Sequence, residues 1–188
     1  TTLPHVDEIR PDLFVPSSRS IAYTRATWKQ VGGYPEWLDY CEDVVFDHEL
    51  RKARFQFAWA PNAVVYYRPR PSMRAFFRQY FLYARGDGKA NLWPKRHAIR
   101  YATYLVALLV AVLGFWYKRA WLALVLGAVA YLWTPTRRVA RATDGASTGE
   151  RACALAYIPV LRFVGDVAKM VGYPVGVWWR LRRNRRDD

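Results

Sequence analysis

The chain contains few of the residues from which disulfide frameworks and metal sites are built. It has two cysteines, Cys41 and Cys153, and three histidines, His5, His48 and His97. Two separated cysteines exclude a secreted, disulfide-stapled module and a CxxC zinc domain. The histidines are too scattered to form a metal site, and no Asp-x-Asp motif occurs in the sequence. We therefore predict no metal ligands in this chain and favour a cytosol-facing protein.

Acidic residues are also scarce. The 188 residues include 29 Lys and Arg but 15 Asp and Glu, a formal net charge of +14, while 53% are hydrophobic and 16% aromatic. This apolar content excludes a disordered chain, and its combination with aromatic and basic residues is typical of a membrane interface. The basic tail RLRRNRR would also suit a nucleic-acid backbone. Because the basic residues cluster beside apolar segments, as in membrane proteins, we predict no nucleic-acid partner.

The charges divide the chain into segments. Residues 36–50 hold six carboxylates and no Lys or Arg, whereas residues 51–100 hold twelve Lys or Arg and one acid, Asp87. Two uncharged stretches of seventeen residues follow, 101–117 and 120–136, separated by Lys118 and Arg119. Each would span roughly 25 Å as a helix, close to the thickness of a hydrocarbon core.

These stretches predict a transmembrane hairpin at residues 99–136. A buried hairpin in a soluble bundle is the alternative, but both stretches are apolar on every face. Basic residues flank the outer ends of the hairpin, which predicts that both ends face the cytoplasm.

Residues 137–188 are predicted to form a loop, a third helix and the basic tail. Arg162, Asp166 and Lys169 fall on one helical stripe, with Arg162 and Asp166 paired at i, i+4. This amphipathic segment, residues 152–179, could span with its polar stripe against the hairpin or lie in the interface, and we favour an interfacial or re-entrant helix. Gly172 and Gly176 form a GxxxG motif, a weak indication of helix pairing.

The region before the membrane reads as mixed α/β. Thr24 is a plausible N-cap for a helix through Val31, and a second helix is predicted at about 41–53, where apolar residues recur at helical spacing. A third, amphipathic helix begins near Pro71 and Ser72 and ends at Gly86, within an interfacial segment assigned to residues 71–98. Strands are predicted at residues 20–23, 55–59 and 63–67.

The stretch SIAYTRATWKQVGGYPEWLDYCEDVVFDHELRKARFQFAWAPNAVVYYRPRP resembles the acceptor-side half of the inverting family 2 glycosyltransferases of the GT-A type. The similarity covers residues 17 to about 90, and the helical tail resembles membrane-anchored members. It implies that residues 1–70 are the α/β acceptor-side part of a GT-A fold without its nucleotide-binding half. A helical membrane region would follow. The chain alone is then expected to be an incomplete, inactive C-terminal portion.

The resemblance also implies site residues. Asp43 of the pair Glu42–Asp43 matches the catalytic base of the family. Gly32, Gly33 and Tyr34 match the loop that lines the acceptor pocket, and Trp37 is placed to stack on a sugar.

The chemistry needs such a carboxylate independently of the family. An inverting transfer requires one base to take the proton of the acceptor hydroxyl as the new bond forms. The alternative is that Glu42 and Asp43 only stabilise the N-terminus of a helix. Arg74, Arg78 and Arg85 form a stripe that could contact a diphosphate or a lipid phosphate, or anionic headgroups in general.

Two further features refine the prediction. A divalent metal, Mg²⁺ or Mn²⁺, is expected for the complete enzyme, with ligands outside this chain; the position where the family often has a metal-ligating His holds Tyr67, a poor replacement ligand. Gln79 is followed by Leu82 and Tyr83 rather than by the Gln-x-x-Arg-Trp motif of processive synthases, which disfavours processive polymerisation.

The predicted activity is hexosyltransferase-like, non-processive transfer of a sugar, with inversion, from a nucleotide-diphospho-sugar to a hydroxyl of a lipid-linked or polysaccharide acceptor of the cell envelope. The predicted location is the inner membrane, multi-pass, with the catalytic part facing the cytoplasm. The alternatives are a non-catalytic structural membrane subunit and, less favoured, a basic nucleic-acid-binding membrane protein.

Overall fold

The computed structural model describes residues 14–63 and 67–187 of the chain. Its regular secondary structure in these ranges is helical. The helices are α1 (Arg25–Gln30), α2 (Glu42–Lys52), α3 (Met73–Lys89), α4 (Pro94–Leu113), α5 (Arg119–Ala142) and α6 (Thr148–Asp187).

The predicted α/β acceptor-side portion of a GT-A fold is wrong, because the described residues contain no strand. Residues 20–23 form a bend and an irregular segment, and residues 55–60 are irregular. A strand exists only when a neighbouring strand accepts and donates its backbone hydrogen bonds, and neither segment has such a neighbour. The amide of Phe55 instead donates to Leu50 O of α2 at 3.0 Å. Most of the predicted strand at 63–67 lies outside the described residues.

The helix N-termini follow the sequence signals. The Thr24 hydroxyl accepts a hydrogen bond from the Thr27 amide, as predicted, and the Ser72 hydroxyl accepts one from the Ala75 amide. Such side-chain caps satisfy amides that the first helical turn leaves without a partner. The predicted starts of α1 and α3 are thereby confirmed, and α3 runs three residues beyond the predicted end.

The described residues separate into two compact units. The first, which we call the hairpin unit, holds Lys95–Val167, with most of α4, all of α5 and the first part of α6. Among the described helices, α4 is long and apolar enough to cross a membrane, whereas α5 does not meet the same test.

The hairpin unit is organised around the buried carboxylate of Asp166, which is 5% exposed. Arg100 of α4 donates to Asp166 Oδ1 at 2.9 Å, and the Tyr131 hydroxyl of α5 donates to Asp166 Oδ2. The predicted pairing of Asp166 with Arg162 is therefore not what the helices form. Arg162 instead lies over the ring of Tyr131, 4.7 Å from its centroid. Arg162 and Asp166 of the polar stripe thus have their partners on α4 and α5.

The second unit, which we call the loop unit, consists of Arg10–Pro94 and Ala168–Asp188, as far as they are described. Its core contains Phe46 and Leu50 of α2 and Ala84 of α3, all buried. The last part of α6 packs on α3 through the GxxxG glycines. A Cβ at Gly172 would lie 2.2 Å from Phe81 O, and one at Gly176 would lie 2.0 Å from Arg85 O. The two backbones are thus in direct contact, an arrangement that small residues permit.

We expect Gly176→Ala to destabilise the protein by about 1 to 3 kcal/mol, because the added methyl group forces the α3 and α6 backbones apart. Gly127→Ala in α5 is the matched control. A Cβ there meets nothing within 4 Å, and alanine is the better helix former by roughly 0.5 to 1 kcal/mol. Thermal unfolding of both variants in the same detergent should therefore give shifts of opposite sign. Equal shifts would contradict the close contact at Gly176.

Candidate functional site

The candidate site is built around the N-terminus of α2, which carries the predicted base. Asp43 lies in the first turn, where its negative charge interacts favourably with the partial positive charge of the helix N-terminus. In the described part of the chain, its carboxylate accepts hydrogen bonds from backbone amides, those of Ser18 (3.1 Å) and Val44 (2.9 Å). Both amides hold the carboxylate in place, and a backbone N–H does not give up its proton to a carboxylate. Glu42 precedes it in the same turn.

Cys41 fixes the start of α2 to α3. Its backbone is in the left-handed region, with φ of 66°. Its thiol donates to Tyr83 O at 3.3 Å and to Asp87 Oδ1 at 3.5 Å. Burial, assisted by the charge of Asp87, raises the pKa of the Cys41 thiol far above its ordinary value. The thiol is therefore a protonated donor that anchors the residue next to Glu42–Asp43.

The predicted acceptor loop packs against α2. Gly32 and Gly33 have φ of 81° and 73°, a region that glycine adopts without strain. The ring of Tyr34 lies 4.7 Å from that of Phe46, centroid to centroid, and its hydroxyl accepts a hydrogen bond from Tyr23 at 3.1 Å. Burial and the hydrogen bond with Tyr23 raise the pKa of Tyr34, and the charges of Asp47 and Asp43 add to this shift. The structure thus places Tyr34, the residue after the two glycines, against α2 and within the electrostatic influence of Asp43.

Asp47 is a site residue that the sequence analysis missed. It is 2% exposed, and its Oδ2 has no hydrogen-bond partner among the described residues. Burial raises its pKa to about 7, the charge of Asp43 adds to the shift, and Arg51 opposes it. The signal was present in the sequence, because Asp47 follows Asp43 by four residues and therefore lies one turn further along the same face of α2.

Asp47 makes the stability of the protein pH-dependent. The pKa of Asp47 is raised in the folded state. The stability that its protonated carboxyl contributes is therefore fully present below about pH 4 and is lost as the pH rises to about 7. We expect Asp47→Asn, which mimics the protonated acid, to stabilise the protein at pH 8 by about 2 to 4 kcal/mol relative to the wild type. At pH 4 the two proteins should differ little. Denaturant unfolding at both pH values measures this, and an unchanged pH dependence in the variant would contradict the assignment.

Trp37, predicted to stack on a sugar, stacks on another indole. Its ring lies 5.9 Å from that of Trp179 of α6, at an interplanar angle of 10°. Two residues later, Asp39 accepts hydrogen bonds from Arg85 and, at 2.8 Å, from Lys89. Burial raises the pKa of Asp39, but the hydrogen bond from Lys89 and the charge of Arg85 outweigh it and hold this pKa below its ordinary value.

The predicted arginine stripe is only partly in the site. Arg85 joins the loop that carries Trp37 and Asp39, whereas Arg74 and Arg78 are exposed on earlier turns of α3. Lys89 and Trp179 were missed. Lys89 lay one helical turn after Arg85 and could have been found, but no local signal links residue 179 to residue 37.

The structure also shows the surroundings of Tyr67, which stands where the family resemblance would place a metal-ligating His. Tyr67 is exposed, and Arg19 lies over its ring at 4.9 Å. The hydrogen bond from Arg19 lowers the pKa of Tyr67. Within residues 14–63 and 67–187, no group of three or more His, Cys, Asp or Glu side chains is arranged to hold a metal ion. These residues do not fit the divalent metal expected for the complete enzyme, and no step below uses one.

A surface pocket lies on a different side of α2 and contains none of the predicted site residues. Its lining residues are Val45, His48, Glu49, Arg51, Lys52, Ala90 and Leu92.

No protein-family model, curated protein or solved structure matches the chain.

Proposed function

We propose that this chain supplies the acceptor side of an inverting, non-processive sugar transfer from a nucleotide-diphospho-sugar to a hydroxyl acceptor at a membrane. The observation that carries the proposal is the environment of Asp43. Its carboxylate is held by two backbone amides, and Asp43 follows Asp39, which pairs with Arg85 and Lys89, by four positions. The proposed base, at the start of α2, is thus close in sequence to a carboxylate that holds two cations of α3, Arg85 and Lys89.

In the proposed reaction, Asp43 takes the proton of the acceptor hydroxyl as the hydroxyl oxygen attacks the anomeric carbon. The bond from that carbon to the diphosphate breaks, and the nucleoside diphosphate leaves with the electron pair. A single displacement inverts the anomeric configuration. The proposal assigns no residue of this chain to the donor nucleotide, and it does not require a strand in the described residues.

Asp47 supports a base at position 43. Two carboxylates one helical turn apart disfavour simultaneous ionisation, and burial places the proton preferentially on Asp47. Asp43 is more exposed than Asp47, so of the two carboxylates it is the one that an acceptor hydroxyl can reach.

The membrane location of the proposal rests on the hairpin unit. Besides α4, the turn between α4 and α5 exposes Phe115 (78%), Trp116 (72%) and Tyr117 (69%). Exposed aromatic residues of this kind are characteristic of a membrane–water interface. We propose a multi-pass inner-membrane protein whose catalytic part faces the cytoplasm, with a membrane lipid or an envelope glycan carrying the acceptor hydroxyl.

The test is a transfer assay in membranes that contain the protein as its gene encodes it. Labelled nucleotide-sugars are supplied singly, and the label is followed into lipid and polysaccharide fractions. We expect one donor to give product whose glycosidic bond has the anomeric configuration opposite to that of the donor. Retention of configuration, or no transfer above membranes lacking the protein, would overturn the proposal.

A non-catalytic structural membrane subunit is the second candidate. It is favoured by the position of Glu42 and Asp43 at a helix N-terminus, where both stabilise α2 whether or not they do chemistry. It predicts that removing the charge of Asp43 changes stability but no transfer rate.

A further inference from the structure

A cluster of cationic and aromatic side chains lies where α3 and α6 meet in the loop unit. The turns of α6 that follow Gly176 carry three residues of this cluster. Lys89 Nζ of α3 lies 4.8 Å from the centroid of the Trp179 ring. The guanidinium group of Arg183 lies 5.2 Å from the ring of Trp37 and 5.4 Å from that of Trp179. We call this the α3–α6 cluster, and its members are Trp37, Arg85, Lys89, Trp179, Arg180 and Arg183.

Two guanidinium groups of the cluster have buried N–H donors without an acceptor. They are Arg85 Nε and Arg180 Nη1, for which the described residues provide no hydrogen-bond partner. A buried donor that is left unsatisfied costs free energy, so these two positions favour a ligand with several acceptor oxygens. Arg180 follows Gly176 by four residues, which places it on the α3-facing stripe of α6.

The charge of the cluster has the sign that an anion requires. Asp39 contacts both Arg85 and Lys89. One carboxylate neutralises one of these two cations, and Arg180 and Arg183 add two further positive charges. This excess attracts a phosphate monoester, which carries nearly two negative charges at neutral pH and three acceptor oxygens.

An apolar stripe on α6 indicates that the phosphate is attached to a lipid. Val171 (49%), Val175 (42%), Trp178 (53%) and Leu181 (55%) are exposed and recur at spacings of three and four along α6. They form one face of the helix that bears the cluster. A free phosphate has no apolar part that could cover these side chains, whereas a lipid chain, or the bilayer surface that holds it, would cover them.

We propose that the α3–α6 cluster binds the terminal phosphate of a phosphorylated lipid. The proposal takes the acceptor class of the proposed function one step further, since it names the chemical group by which the acceptor would be held near Asp43. It can be tested without any sugar transfer.

The experiment is vesicle flotation of the purified full chain. One set of phosphatidylcholine vesicles contains phosphatidic acid, a phosphomonoester, and a second contains phosphatidylglycerol, a phosphodiester, with compositions adjusted to equal surface potential. Diffuse attraction of basic residues is then the same in both sets. We expect about tenfold tighter binding to phosphatidic acid, the effect of one strong charge-assisted contact.

The chain provides matched controls at adjacent positions. Arg183→Gln should weaken the preference for phosphatidic acid, because it removes one positive charge of the cluster, whereas Arg182→Gln, whose guanidinium lies over Trp178 and outside the cluster, should retain it. Likewise Trp179→Leu should reduce the preference and Trp178→Leu should not. Both arginines are exposed, so neither change threatens the fold. Equal losses in both members of a pair, or no preference in the wild type, would overturn the proposal.

Two further arms separate the sources of phosphate and the two proposals. If millimolar inorganic phosphate removes the preference for phosphatidic acid completely, the cluster is a site for free phosphate and the lipid assignment is wrong. Asp43→Asn should keep the preference. If the preference is present while no transfer is detected, the cluster stands and the proposed function fails; if transfer is detected without the preference, the cluster alone is overturned.

Discussion

Asp43→Asn should reduce sugar transfer by about 10²- to 10⁴-fold, the contribution expected of a positioned general base. Asparagine keeps the size of the side chain, and its single carbonyl oxygen can keep one of the two hydrogen bonds that the Asp43 oxygens accept from the Ser18 and Val44 amides. It cannot take the proton of the attacking hydroxyl. The loss should therefore appear in the catalytic rate, with the amount of protein in the membrane unchanged. Initial rates at saturating donor measure it.

The matched control is Glu49→Gln on the same helix. Glu49 forms an exposed ion pair with Lys52 at 2.5 Å, and such surface pairs contribute little to stability. Its removal changes the net charge by the same amount as Asp43→Asn but should leave transfer within about twofold. A similar loss in both variants would assign the effect to the charge of α2 and would favour the structural-subunit candidate.

Asp166→Ala should destabilise the hairpin unit by about 3 to 5 kcal/mol. The change leaves Arg100, whose side chain is 18% exposed, without the carboxylate that it contacts at 2.9 Å. A buried charge without its partner is far more costly than the net gain from forming the pair. Thermal unfolding in detergent, followed by the helical circular dichroism signal, measures the loss.

Two variants show whether the effect belongs to the ion pair. The double change Arg100→Leu with Asp166→Leu removes both charges and should recover most of the stability, since an apolar pair replaces a buried ion pair at little cost. Asp144→Ala, at an exposed position, should have almost no effect. If the double variant is less stable than Asp166→Ala, the carboxylate acts through the Tyr104 and Tyr131 hydroxyls rather than through Arg100.

The parts of the fold that depend on neighbouring residues could be predicted from the sequence. Thr24 and Ser72 cap their helices through amides three residues away, so these starts were readable. The predicted alternation of buried and exposed residues is present in part of the FQFAWA segment, because Phe55 and Phe57 are more buried than their neighbours. Alternation does not supply a partner strand, however, and the prediction of a sheet failed for that reason.

The parts that depend on distant contacts could not be predicted. A stripe at i, i+4 suggested Arg162 as the partner of Asp166, but helical spacing does not exclude a better partner on another helix, here Arg100. The GxxxG motif is common by chance. Here the structure shows that it is a helix contact, because a Cβ at either glycine would collide with the backbone oxygen of Phe81 or Arg85. In the candidate site, the loop and Asp43 were local to each other, whereas Trp179 reaches Trp37 from the end of the chain.

The stacking of Trp37 on Trp179 gives the molecule an optical reporter of its own. Two indoles with centroids 5.9 Å apart and planes within 10° of each other couple their electronic transitions. When the two transition dipoles are not parallel, exciton coupling of this kind produces a circular dichroism band with two lobes of opposite sign. The band would vanish if the final turns of α6 moved away from the loop that carries Trp37. Adding a phosphorylated lipid while recording this band would follow occupancy of the loop unit without any label.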